Sequence, residues 1–96
     1  MNIRSVKKIV NDMEKKAAVL YQCAEVTGVI FNRVKTEMFL AHINQLKDFV
    51  EKKNKRQVFE TCLILYDYVW DIDEFDSTYT RVLHQDIQTI KKWCME

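Results

Sequence analysis

Asp67, Asp71, Asp73, Glu74 and Asp76 place five carboxylates within ten residues, and Tyr66, Tyr68, Trp70 and Phe75 lie among them. Carboxylates at that density could hold a hard cation or move a proton. The spacing Asp71-x-Asp73 opens an EF-hand pattern, in which loop oxygens surround calcium. The third ligand position is then Phe75, Asp76 stands where the sharp turn needs glycine, and Val82 replaces the bidentate Glu. The pattern fails, and the sequence encodes no metal site. Asp67 and Asp71 share a helix face at i, i+4, but acid–base catalysis needs two carboxyls in different surroundings within a cleft. Nothing in the sequence supplies that cleft, so no catalytic residue is assigned.

Other chemistries are excluded on similar grounds. One glycine in the chain rules out a glycine-rich phosphate loop. No Glu-x-x-His pair of the di-iron bundles occurs. Cys23, Cys62 and Cys94 have neither zinc-knuckle nor disulfide-framework spacing. Cys23 and Cys62 fall within apolar helical patterns and are expected as buried, reduced thiols, with Cys94 the more reactive. His42 and His84 lie beside apolar stripes and read as hydrogen-bonded packing residues. No cofactor is implied, and the chain reads as a non-enzyme.

The elements that position these residues follow from composition. A single glycine and no proline in 96 residues leave few tight turns, so helices joined by short polar links are expected. Apolar residues recur at helical period in four stretches. The first is Ile3, Val6, Val10, Met13, Ala17, Leu20, Tyr21 and Ala24; the second is Phe39, Ile43, Leu46, Phe49 and Val50. The third, Val58, Phe59, Cys62, Leu63, Leu65, Tyr66, Val69 and Trp70, is wide enough to touch two neighbours. The fourth is Tyr79, Val82, Leu83, Ile87, Ile90, Trp93 and Cys94.

The breaks fall at residues 51–57, where Asn54 favours a turn, and at residues 72–78. There Asp73, Asp76 and Ser77 are N-cap candidates for the last helix. Gly28 either ends the first helix or lies inside a longer one, with Thr36 then capping the second. The expected fold is all-α, a small antiparallel bundle of four helices, or three if the first helix continues through Gly28. Residues 1–96 form one domain. No apolar run is long enough for a membrane span, and the charged N-terminus resembles no signal peptide. A cytoplasmic setting is expected.

Up-down connectivity sorts the charges. Lys7, Lys8, Lys52, Lys53, Lys55 and Arg56 gather at one end with Arg4, Lys91 and Lys92, behind a formal net charge of only +1. Glu25, Asp71, Asp73, Glu74 and Asp76 gather at the other. Helix dipoles favour part of this layout. A basic end could also meet an anion such as nucleic acid. At the acidic end Asp67, Tyr68, Asp71, Asp73 and Phe75 are the candidate partner-binding residues, because acid-rimmed aromatics make effective anchors. Tyr68 faces a partner or water there, and Phe75 is an anchor or a staple against the last helix.

Stripes this wide on a short chain favour a homodimer or a protein partner over one face. The size and all-helical pattern are common among small bacterial and phage regulators, inhibitors and immunity proteins. Protein–protein binding is the expected function, with nucleic-acid association through the basic end the alternative.

Overall fold

Each helix starts and stops where local chemistry permits. In the computed structural model, which describes residues 1–96, α1 spans Ile3–Thr27, α2 Ile30–Glu51, α3 Lys55–Asp73 and α4 Thr80–Cys94. The chain is 84% helical and has no strand. The Asn2 side chain accepts from the Ser5 N–H at 2.9 Å and opens α1. Asn54 opens α3 in the same way, accepting from Gln57 N–H at 3.1 Å. Gly28 closes α1 at φ +73° with its N–H on the carbonyls of Ala24 and Glu25, the left-handed glycine stop. The chain therefore breaks at Gly28, and Thr36 sits buried inside α2 instead of capping it.

Two boundaries differ from the sequence reading. α3 continues through Ile72, which is fully buried, so the break begins after Asp73. The N-cap of α4 is Tyr79, without a side-chain cap, and none of Asp73, Asp76 or Ser77 fills that role. Asp76 instead accepts from the Thr78 N–H at 3.1 Å and its hydroxyl at 2.7 Å, shaping the turn. Asp73 accepts from the buried Thr80 hydroxyl at 2.6 Å, tying the end of α3 to the start of α4.

The helices run alternately up and down, and each packs on its sequence neighbours, with α4 returning to α1. The bundle measures 41 × 21 × 19 Å. Its interior follows alternating steps of three and four residues: Val6, Val10, Met13, Ala17 and Leu20 in α1; Phe39, Ile43, Leu46 and Val50 in α2. Val58, Cys62, Leu65, Val69 and Ile72 continue it in α3; in α4 Leu83, Ile87, Ile90 and Trp93 step by four, three and three. That is the narrow seam of coiled-coil-like packing. Burying one such aliphatic side chain contributes about 1.5–3 kcal/mol, so this interior outweighs any surface ion pair.

A narrow seam strands the apolar residues beside it. In α3, Leu63 and Trp70 lie one position off the seam, about 100° around the helix. Both are exposed, Trp70 by 53%. The expectation of an inward Trp70 is thus corrected. Its ring rests on His84, with centroids 4.9 Å apart, and meets Tyr66 edge-on at 6.2 Å. Cys23, one residue before the seam position Ala24, is likewise exposed and not buried.

Candidate functional site: an apolar corner with an acidic rim

The two-residue link between α1 and α2 brings a run of apolar side chains to the surface. Val26 is 89% exposed, Ile30 70% and Phe31 57%, and Val29, Val34 and Met38 are also exposed. Phe31, Val34 and Met38 step by three and four along α2, so one exposed stripe continues from the corner. α2 has two such lines: Phe39, Ile43 and Leu46 face inward, and this one faces water. The sequence reading missed it as a surface. The signal was present in Val26-Thr27-Gly28-Val29-Ile30-Phe31, where a glycine stop is flanked by large apolar residues that no seam can absorb.

The acidic-end candidates are drawn into the edge of this surface to different degrees. Lys35 of α2 donates to Asp71 of α3 at 2.9 Å, and its ammonium lies 5.5 Å from the ring centres of both Phe31 and Tyr68. The hydrogen bond to Asp71 raises the Lys35 pKa above its ordinary value, with Tyr68 and Glu74 adding and burial opposing. Tyr68 is half-buried and packs on the core; its hydroxyl points to the Met38 sulfur at 3.8 Å and its ring to His42 at 5.3 Å. Tyr68 therefore borders the stripe. Asp67 stays exposed.

Phe75 is half-buried against the core and borders a cavity of about 50 Å³ with Cys23, Ala24, Thr27, Asn32 and Asp76. It thus lies across that cavity from the end of α1 and the start of α2, half-buried where an anchor would be fully exposed. Asp73 is committed to Thr80. On the opposite flank the Glu25 carboxylate, one turn along α1, raises the Tyr21 pKa, with burial and Glu37 adding and Arg33 opposing. Glu25 lies near the end of α1, and Arg33 and Glu37 lie one turn apart on α2.

At the far end the basic candidates are also brought together. The Met1 amino group lies 3.0 Å from Glu96, Lys7 pairs with Glu51 at 3.0 Å, and the Lys55 ammonium reaches the Glu96 carbonyl at 3.4 Å. Lys52 pairs with Asp48 at 3.0 Å and Arg56 with Glu60 at 3.3 Å, each within its own chain segment. Lys55 lies over Trp93 and Lys91 over Phe59. Lys8 and Lys53 form no ion pair, and Lys53 holds a left-handed backbone, φ +55°.

The cysteines and histidines differ in their surroundings. Burial pushes the Cys62 thiol up to about 12, and also raises that of half-buried Cys94, against the expectation of a reactive Cys94. His42 Nδ1 and His84 Nε2 are shielded without a hydrogen-bond partner. Both rings stack on tyrosines instead, His84 on Tyr66 at 4.8 Å. No three His, Cys, Asp or Glu side chains converge as a ligand set, and no helix is long and apolar enough to cross a membrane.

No protein-family model, curated protein or solved structure matches the chain, and the functional reading rests on its own surface.

Proposed function

We propose that the chain is a non-enzymatic helical-bundle protein that acts by binding another protein, as a regulator, inhibitor or immunity-type factor. One observation carries this reading: the exposed apolar corner of Val26, Val29, Ile30 and Phe31, extended along α2 by Val34 and Met38. Single apolar residues on a surface are ordinary, whereas a continuous group rimmed by charge marks an interaction site. Phe31 and Met38 supply large contact area, and Tyr68 and Lys35 fix the border.

The test is capture from cells of the native host, comparing the wild-type chain with an Ile30→Ser, Phe31→Ser double variant. Both positions are exposed, so the melting temperature should stay within a few degrees while capture of the partner is lost. Recovery of the same proteins by both chains would remove the corner from the function.

A second reading, nucleic-acid association, draws on Lys53. A left-handed backbone at a non-glycine residue costs about 1 kcal/mol, and glycine there would relieve it. A strained cation in a basic turn fits a role for its charge. The helix ends and turn on its side of the bundle carry Arg4, Lys7, Lys8, Lys52, Lys55, Arg56, Lys91 and Lys92 against Asp48, Glu51, Glu60 and Glu96. Retention on generic DNA or RNA at low salt, lost at moderate salt, is its expected sign; absence of retention at low salt sinks it.

A further inference from the structure

We infer that the apolar corner takes a polypeptide segment, helical when bound, that carries Lys or Arg beside its own apolar anchors. This rests on the protein-binding reading above and adds the chemistry of the partner.

The charge around the corner selects that occupant. Glu25 adjoins Val26 at the end of α1, and Arg33 and Glu37 adjoin Val34 and Met38 on α2. On the other flank Asp71 holds Lys35 at 2.9 Å, Glu74 follows at the end of α3, and Asp76 closes the corner beside Asn32. Five carboxylates thus face two cations, and one cation, Lys35, is already bound to Asp71. Any surface that covers the apolar residues meets an excess of negative charge.

Three occupants can be compared on that basis. A second copy docked about a two-fold axis would press two rims of like sign together, which complementary interfaces avoid. A second copy docked by its basic end brings the right charge. Its only large exposed apolar residues there are Met1 and Met95, and such a head-to-tail contact does not close on itself. An anionic lipid surface is repelled by the same carboxylates.

A basic amphipathic segment meets both requirements. The spacing of Phe31, Val34 and Met38 presents a ridge for a helix with anchors at i, i+3 or i+4 and i+7. Met38 adapts its shape to such anchors. Cations on either side of the docked helix then reach Glu37 on one flank and Glu74 on the other.

The experiment uses two fluorescein-labelled 18-residue amphipathic peptides with the same Leu face, one with a Lys polar face and one with a Glu polar face. Fluorescence anisotropy at low salt should show the Lys peptide binding about tenfold more tightly, as two or three rim contacts of ordinary surface strength provide. A Glu25→Lys, Glu37→Lys variant should bring that preference close to one, and Ile30→Ser, Phe31→Ser should remove binding of both peptides.

Equal binding of the two peptides, unaltered by the charge variant, overturns the basic partner and leaves the docking corner standing. If the Lys peptide does not bind, the inference is overturned. If Ile30→Ser, Phe31→Ser also leaves capture from host cells unchanged, the protein-binding reading of the corner falls with it. A dimer mass in light scattering that this variant returns to monomer would make the occupant a second copy and overturn the inference. Retention on phosphatidylserine vesicles through the same residues overturns it in favour of a membrane surface.

Discussion

The turn at Gly28 and the turn at Lys53 solve the same stereochemical problem with opposite residues. Each follows a long helix and needs one residue in the left-handed region, φ +73° at Gly28 and +55° at Lys53. Glycine takes that conformation without steric cost, and lysine does not. At the glycine end the chain saves backbone energy and exposes Val26, Val29, Ile30 and Phe31. At the lysine end it accepts backbone strain and concentrates charge. Stability alone would place glycine at both turns and apolar side chains at neither. The difference teaches that each end gives up something different, and each loss falls among residues able to meet a partner.

The ends also differ in how they are closed. Phe75 packs against the core beside the end of α1 and the start of α2, and Asp73 holds Thr80, so the Gly28 end is shut by packing and a part-buried hydrogen bond. The lysine end is shut by exposed ion pairs such as Lys7–Glu51. Phe75→Ala breaks this contrast most severely. A fully buried Phe→Ala costs about 3–5 kcal/mol, and half-burial brings the expected loss to about 2 kcal/mol. For a chain of this length that is a fall in melting temperature of roughly 10 °C, read by circular dichroism. A change within 2 or 3 °C would mean that Phe75 is free to serve as an anchor after all.

Exchanging the two turn residues gives the next largest effects, of opposite sign. A Cβ at Gly28 meets nothing within 4 Å, so Gly28→Ala isolates the backbone term, a loss of about 1 kcal/mol. Lys53→Gly should gain most of 1 kcal/mol by relief of strain, less the extra freedom that glycine gives the unfolded chain. Denaturant titration of both variants measures the pair. If Lys53→Gly destabilises, the left-handed lysine is held by contacts that offset its strain, and the argument from strain to function fails.

How much of this was legible in the sequence depends on which physical signal each residue sends. The helical stripes and most seam residues were legible, because burial repeats with the helical period, whereas the sequence left Gly28 open between a helix stop and a packing point inside a longer helix. Segregation of charge to two ends followed from connectivity. Trp70 and Cys23 were not legible as exposed residues. Each lies one position from the seam, and hydrophobicity alone does not distinguish a residue in the seam from one about 100° aside. Ile72 was hidden by the acids after it, which signal a turn although α3 continues through it. The exposed apolar corner lies a few residues from the acidic and aromatic side chains that stand out in the sequence. Acids and aromatics drew attention to α3, where Asp71, Asp73, Tyr68 and Phe75 are largely engaged internally, while the free apolar surface lies across the groove on α2.

The smallest effect tests the ion pairs that stand for each end. Lys7–Glu51 and Lys35–Asp71 have nearly the same length, 3.0 and 2.9 Å, but their side-chain exposures are 42% and 70% in the first pair and 28% and 46% in the second. A double-mutant cycle on Lys7→Ala and Glu51→Ala should give a coupling of about 0.3 kcal/mol after solvent screening, falling towards zero at 1 M salt. The same cycle on Lys35→Ala and Asp71→Ala should give a larger coupling that salt reduces less. Its pH dependence has a fixed sign. The folded Lys35 pKa is raised by Asp71, so this stabilisation is complete below the ordinary lysine pKa and is lost as pH rises through the folded value. Equal couplings with equal salt sensitivity would show that the two ends are closed alike, leaving only their turns to distinguish them.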